Sequence, residues 1–450
     1  MATTLIVLAA GKGTRMNSDL PKVLHEIGQS PLLHHAMAAG MTLEPERMIV
    51  VAGHDAEAVE RAATAYDEGI VTVRQQTQEG TGHAVQQART ALEGFSGNAI
   101  VLYGDTPFIR PETLEAMLAA RARADVVVLG FEATDPGRYG RLVTTGDSLD
   151  RIVEFKDADA EIRAITLCNS GVIAADCETL FKLLDQVTND NASGEYYLTD
   201  IVGLAREAGL KAEVVRCEEA ETLGINTRAE LARAEAAFQI RARAEAVEDG
   251  VTLLAPDTVT FARDTVVGRD TVIEPNVVFG PGVTVESGAK IRAFSHLEGC
   301  HVSRGATVGP FARLRPGAEL AEDVHIGNFV EIKNAQIGTG AKVNHLTYLG
   351  DADIGAGTNV GAGTITCNYD GVFKHRTTVG RDVFIGSNTM LVAPVTLGDG
   401  AMTATSTVVT HNVPAGDMAV GRTKQSNKPG FATRFFDKLR AAKAAKTKDN

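Results

Sequence analysis

Over its first half the chain alternates between short, continuous apolar runs and stretches of helical character. The runs at 5–10, 48–52, 70–73, 99–103 and 126–131 have strand length, and 56–66, 82–92 and 111–123 between them read as helices. Continuous apolar strands separated by helices predict a mostly parallel sheet covered on both faces, a Rossmann-like α/β domain over 1–227. Ligands of such sheets bind beyond the carboxyl ends of the strands. Two segments fall there, Leu8-Ala9-Ala10-Gly11-Lys12-Gly13-Thr14-Arg15 and Tyr103-Gly104-Asp105-Thr106-Pro107, so both should line one crevice. Residues 228–248 contain strong helix formers and no Gly or Pro, which predicts a connecting helix about 30 Å long.

Beyond that helix the period changes to six. Aliphatic or aromatic residues recur at Val267, Ile273, Phe279, Val285, Ile291 and Leu297, then at Val302, Val308, Leu314, Leu320, Ile326 and Ile332. Ile337, Val343, Leu349, Ile354 and Val360 continue the series, and Val379, Ile385, Leu391 and Leu397 end it. Glycine follows many of them. An inward aliphatic every six residues with turn-permitting glycines predicts a left-handed parallel β-helix of hexapeptide repeats over 249–425, three hexads to a coil, coils stacked at roughly 4.8 Å. A basic tail over 426–450 completes the chain.

Composition narrows the class of function. A net charge of −13 argues against a general nucleic-acid binder. There is no apolar run long enough to span a membrane, and residues 5–10 lack the length and charged flank of a signal peptide. The five cysteines (168, 177, 217, 300, 367) are scattered with no CxxC pair, which disfavours zinc or a disulfide framework and suits reduced thiols in the cytoplasm. Lys424, Lys428, Arg434, Lys438, Arg440, Lys443, Lys446 and Lys448 read as a solvated, partly disordered end.

The glycine loop is neither a Walker A sequence nor a full GxGxxG. Glycines after a strand are often only a tight turn, but Lys12, Arg15 and Lys22 lie close in sequence, and backbone amides of such a loop can cradle phosphates. Asp105, at the end of a neighbouring predicted strand, is then a candidate for holding Mg2+, which takes one or two carboxylates together with substrate phosphates.

In the second half the repeat register places side chains. Arg315 follows inward Leu314 and Lys333 follows inward Ile332 eighteen residues later, so the two should be stacked neighbours. Such a pair either splays into solvent or brackets an anion such as a sugar phosphate. Two positions past an inward residue, His345, Ala362, Ser387 and Thr405 should form one vertical column, a slim groove suited to the pantetheine arm of coenzyme A. A neutral imidazole there could take the proton that an attacking amine must lose. Residues 366–378 break the period and should bulge as a loop carrying Asn368, Tyr369 and Lys374.

The ordered motifs LAAGKGTRM, PKVLHEIG, QEGTGHA, YGDTP, YGRL, IVEFKD, CNSG and GIN, followed by NHLTYLGDA and GAGTITCNYDG, carry a resemblance. The chain resembles the sugar-nucleotide pyrophosphorylases, and above all the bacterial bifunctional N-acetylglucosamine-1-phosphate uridylyltransferase/glucosamine-1-phosphate acetyltransferases, over essentially its whole length. The resemblance implies a nucleotidyltransferase domain in which Leu8, Ala9, Ala10, Gly11, Gln75, Gly80 and Thr81 contact the uridine nucleotide and Lys22 serves the phosphates. Gln75, rather than Gln76, satisfies the five-residue spacing to Gly80. It implies that Gly140, Glu154 and Asn169 hold the acetylated sugar, and Asp105 with Asn226 binds Mg2+. In the β-helix it implies that Arg315, Lys333, Tyr348, Asn359 and Lys374 hold glucosamine 1-phosphate. Ala362, Asn368, Tyr369, Ser387, Thr405 and Arg422 would contact acetyl-CoA, with His345 as general base. Family members trimerise along the prism axis. The implied activity is acetyl transfer from acetyl-CoA to glucosamine 1-phosphate, then uridylyl transfer from UTP to N-acetylglucosamine 1-phosphate. Two rivals stand beside it: a single-activity nucleotidylyltransferase with a regulatory β-helix, and a non-enzymatic trimeric scaffold docking partners through the basic tail.

Overall fold

A computed structural model describes residues 1–146 and 148–446, with the side chain of residue 446 outside the description. The chain divides into two compact units, Met1–Ala246 with Thr260–Thr265, and Val247–Val259 with the residues from Val266 onward.

The first unit is built on a nine-stranded sheet. Its strands are β1 (Thr3–Ala9), β2 (Arg47–Ala52), β3 (Val71–Arg74), β4 (Asn98–Tyr103), β5 (Val126–Glu132), β6 (Arg141–Thr145), β7 (Ser148–Val153), β8 (Leu167–Asp176) and β9 (Ala212–Cys217). They lie in the order β3-β2-β1-β4-β8-β5-β9-β7-β6. The half read from the apolar runs, β3-β2-β1-β4, pairs in parallel. β8 then runs antiparallel to both β4 and β5 and joins them to the second half. Strand alternation feeds two cores: Leu5, Val7 and Ala9 face one layer of helices, Ile6 and Leu8 the other. This is the two-sided burial that continuous apolar strands require. The helix expected at 82–92 is shorter, Thr81–Gln86 with a separate 3-10 turn at Thr90–Leu92. Gln86 and Arg89 there donate to the carbonyls of Leu184 and Phe181, contacts that no local pattern encodes. The stretch at 111–123 is helical only over Pro111–Ala120.

Helix Arg228–Glu248 begins in a capping box: Glu230 accepts from the amide of Thr227 at 2.9 Å, and the Thr227 hydroxyl accepts from that of Glu230 at 3.2 Å. Phe238, on this helix, packs with Ile27, Leu32, Phe108 and Ile225.

The second unit is a parallel β-helix with three walls. Inward residues stack by wall: Val285, Val302, Leu320, Ile337, Ile354 and Val379 on the first, Ile273, Ile291, Val308, Ile326, Val343, Val360 and Ile385 on the second, Leu297, Leu314, Ile332 and Leu349 on the third. All of these are buried, and Val267, at the start of the repeat, is only half-buried. The loop expected over 366–378 is trimmed at both ends. Thr366 points inward in strand Ile365–Cys367, and the chain re-enters the third-to-first-wall path at Thr377–Val379. A short antiparallel turn pairing Tyr369 with Lys374 remains outside. The basic tail, expected to be a solvated and partly disordered end, is exposed and forms a helix over Phe431–Lys446, because Ala, Lys, Arg and Leu there are strong helix formers. Lys448 lies outside the described residues.

Candidate active sites

In the first unit, the loops after β1 and β4 meet, as parallel neighbours must. They enclose a cavity of about 290 Å³ lined by Leu8, Ala9, Ala10, Gly11, Lys22, Gln75, Gly80, Thr81, Tyr103 and Asp105, with Val23, Gln78, Ala84 and Glu195. Ten of the residues anticipated from sequence therefore converge. Gln75 is buried and its amide donates to the carbonyl of Gly80 at 3.1 Å, whereas Gln76 is exposed. Gly80 has φ +113, and a Cβ there would sit 2.5 Å from the Tyr196 carbonyl, so only glycine fits. Gly104 closes the β4 loop by donating from its amide to the carbonyl of Leu8 at 3.0 Å. Arg15 and Lys12 are exposed and stand outside the cavity lining.

At one end of the cavity the Lys22 ammonium contacts Asp105 Oδ2 and Asn226 Oδ1, the latter at 3.0 Å. Two hard oxygens thus converge on one cationic point. The backbone fixes them: the Ile225 amide donates to the Asp105 carbonyl at 3.1 Å, and the Asn226 amide to Glu230 Oε2 at 2.7 Å. Among the described residues no group of three His, Cys, Asp or Glu is placed to hold a metal. An oxygen pair that leaves most positions to water and phosphate is the donor set that suits Mg2+ rather than zinc.

Tyr103 forms a wall of this cavity, and its phenol is pushed well above its usual range by burial and then by the Glu154 carboxylate. Gly140, Glu154 and Asn169 lie together. The Asn169 amide donates to the Gly140 carbonyl at 2.9 Å, and a Cβ on Gly140 would stand 3.3 Å from Glu154 Oε1. Burial raises the Glu154 carboxyl above its ordinary value, against a hydrogen bond from Thr199 at 3.3 Å.

In the second unit the chemistry sits at the two edges of the third wall. The corner before that wall carries His345 on the same vertical line as Ala362, Ser387 and Thr405, two positions past Val343, Val360, Ile385 and Thr403. His345 is exposed, and its Nδ1 lies 2.8 Å from Asn328 Oδ1. An amide oxygen only accepts, so Nδ1 carries the hydrogen of this bond, which in the neutral ring leaves the lone pair on Nε2. Asn328 was not singled out from sequence, although it sits one coil below His345, two positions past Ile326, where the same count finds it. Arg422 joins the column from above, donating to the Thr405 carbonyl at 2.7 Å.

The opposite corner carries Arg315 and Lys333 on consecutive coils. They do not simply splay apart. Arg315 pairs with Glu331 at 2.8 Å, and Lys333 lies against Lys374 from the loop. That like-charge contact, then burial, lowers the Lys333 ammonium below its usual value. Between the corners Tyr348 faces outward beside Glu331 and Ile365. A Cβ on Gly350 would stand 2.2 Å from the Tyr348 hydroxyl and 2.9 Å from Asn368 Nδ2, so both groups close over a bare backbone. Tyr369 is exposed on the loop, its hydroxyl donating to the Gly371 carbonyl at 2.6 Å. Asn359 stands on a different wall from Arg315 and Lys333, the second, between Lys342 and Phe384.

Comparison with known proteins follows the same division. Residues 5–169 match the MobA-like NTP transferase domain, and residues 264–299 match the bacterial transferase hexapeptide (six repeats). A protein from Ruegeria sp. strain TM1040 named bifunctional protein GlmU is 68% identical over 448 residues, covering 100% of both chains. Proteins of the same name from Cereibacter sphaeroides and Ruegeria pomeroyi are 70% and 69% identical over 446 and 449 residues, covering 99% and 100% of this chain and 98% and 100% of theirs.

Proposed function

Because this chain belongs to the family of bifunctional GlmU proteins, we propose that it makes UDP-N-acetylglucosamine by two transfers, one in each unit. In the second unit acetyl-CoA and glucosamine 1-phosphate give N-acetylglucosamine 1-phosphate. In the first, that product and UTP give UDP-N-acetylglucosamine and pyrophosphate.

The observation that carries the acetyl-transfer reading is the third wall: a histidine with a free Nε2 at one edge and Arg315, Lys333 and Lys374 at the other. The cations hold the sugar phosphate, with Tyr348 beside them and Asn359 contributing from its own wall. The slim column of Ala362, Ser387 and Thr405 with Arg422, and the loop residues Asn368 and Tyr369, receive acetyl-CoA. As the sugar amine bonds to the thioester carbonyl carbon, Nε2 of His345 takes the amine proton. The C–S bond breaks, and the imidazolium returns the proton to the departing thiolate. General base catalysis of this kind contributes on the order of 10²–10⁴-fold.

For uridylyl transfer, Leu8–Gly11, Gln75, Gly80 and Thr81 hold the nucleotide, while Gly140, Glu154 and Asn169 hold the acetylated sugar. The sugar phosphate oxygen attacks the α-phosphorus as the α–β bond breaks, a reaction driven mainly by alignment and charge stabilisation. Asp105 and Asn226 would hold Mg2+, where the Lys22 ammonium now stands between them, and the ion would neutralise phosphate charge there. Lys22 supplies a second cation to the phosphates.

We also place the protein in the cytoplasm, where its five free thiols stay reduced, and assign it a homotrimeric state. No described helix is long and apolar enough to cross a membrane. The deciding experiment is a coupled assay of purified protein with glucosamine 1-phosphate, acetyl-CoA, UTP and Mg2+, following thiol release and pyrophosphate separately. Pyrophosphate from N-acetylglucosamine 1-phosphate without thiol release from glucosamine 1-phosphate would favour the single-activity rival, and neither product would favour the scaffold.

A further inference from the structure

The count that aligns the histidine column also builds a second column at the opposite corner of the third wall. Two positions past Ile332, Leu349 and inward Thr366 lie Asn334, Asp351 and Asn368, on three consecutive coils. Asp351 is 7% exposed, and both its oxygens are engaged. Asn334 Nδ2 donates to Oδ1 at 2.5 Å from the coil below, and Asn368 Nδ2 donates to Oδ2 from the coil above. Its φ is +49, a left-handed conformation that an aspartate tolerates better than most side chains.

Charges face this carboxylate from several elements. Lys333 and Lys374 act on it through space, and Arg376, which is itself paired with Asp353, feels it as well. Lys333 in turn faces Lys374 and Arg315, and Arg315 is bonded to Glu331. Burial pushes the Asp351 carboxyl up, but the two amides and the two lysines outweigh it and hold it below the ordinary carboxylate range. An ionised carboxylate therefore lies buried beside two ammonium groups that repel each other.

From this geometry we infer that Asp351 is a positioning residue of the acetyl-transfer site, whose carboxylate keeps Lys333 and Lys374 together as a charged pair and latches Asn368. One buried group thereby sets both the corner that binds phosphate and the start of the loop that meets the thioester. The assignment rests on the acetyl-transfer reading above. It concerns no contact with substrate, because both carboxylate oxygens are taken up by the asparagines.

The test uses full-length protein and thiol release at saturating acetyl-CoA, with uridylyl transfer as the measure of folding. Asp351→Asn removes the charge at nearly constant shape. Without it Lys333 loses its proton more readily, so the alkaline limb of kcat/KM for glucosamine 1-phosphate moves to lower pH by about one unit. KM for that substrate rises by up to about tenfold at pH values above the wild-type limb and little below it, and uridylyl transfer is unchanged. Asp351→Glu, which keeps the charge, leaves the limb at the wild-type pH. Asn368→Ala, which removes the latch alone, raises KM for acetyl-CoA and also leaves the limb in place. A purely structural role would lower the active fraction without moving the limb. An unmoved limb in Asp351→Asn overturns the assignment, as does a limb displaced in Asp351→Glu or Asn368→Ala. If Asp351→Asn does not fold, Asp351→Gly, which suits the left-handed backbone and also removes the charge, is measured in its place with the same two outcomes. Absence of thiol release from the wild-type protein would instead sink the acetyl-transfer reading itself.

Discussion

Single side chains at the third wall owe their roles to partners one coil away. His345 is a candidate base because Asn328 fixes its tautomer. Asn328→Leu should therefore lower kcat of acetyl transfer by about fivefold, the value of one orienting hydrogen bond of ~1 kcal/mol, with KM for acetyl-CoA little changed. Steady-state kinetics at pH 8 check this, and an unchanged kcat would mean that the contact does not orient the ring. The cysteines show the opposite case. Burial pushes Cys177 up to about 11 and Cys217 and Cys300 up to about 12, and it raises Cys168 and Cys367 as well. The nucleophile is the thiolate, so alkylation of the native protein at pH 7.5 should be far slower than that of the unfolded chain. Mass spectrometry after timed iodoacetamide treatment reads the difference.

At the scale of elements, stability follows from what each wall or helix buries. Ile332 and Leu314 have no exposed surface and stack on consecutive coils. Ile332→Ala should cost roughly 2–5 kcal/mol, seen as a lower denaturant midpoint for the β-helix transition. In the first unit, helix Leu32–Met41 carries His35, which bonds the Ile27 carbonyl at 2.8 Å and meets Phe238 edge-on. Burial, opposed by that bond, lowers its pKa to about 4. The folded value lies below the unfolded one of about 6.5, so the unfolded chain binds the extra proton as pH falls. The stabilising effect of a neutral His35 is complete above pH 6.5 and declines from there toward pH 4. By pH 5 the loss is roughly 2 kcal/mol for this group. His35→Gln, which can still donate to Ile27, should flatten the fall in unfolding free energy between pH 7 and 5. An unchanged slope would assign the pH dependence elsewhere.

For the molecule as a whole, the two units hold separate chemistry, so single changes should separate the activities. His345→Ala is expected to lose acetyl transfer by at least ~10²-fold and keep uridylyl transfer, and Asp105→Ala to do the reverse. A folded variant that lost both would break the two-site description. Trimerisation is checked by light scattering of the purified protein, with a monomer mass of 47.5 kDa as the unit.

Much of this was legible in the sequence, for a physical reason. A six-residue period places every inward side chain by counting, because each coil rests on the one before, so the columns of His345 and of Arg315 and Lys333 followed from arithmetic. The glycine loop and Asp105 were legible because parallel strands deliver their C-terminal loops to one edge. Other features depended on contacts between distant parts of the chain. β8 runs antiparallel between β4 and β5, Gln86 and Arg89 are drawn to carbonyls nearly a hundred residues away, and Thr366 turns inward to re-enter the third wall before the loop. Only tertiary structure could decide that Asn328 holds the histidine, that Lys22 stands between Asp105 and Asn226, and that Asp351 is clasped by Asn334 and Asn368. Residue types and periodicity determine which wall or loop a side chain occupies. Which polar groups it then pairs with depends on what the folded chain brings within 3 Å, where burial makes an unpaired group costly.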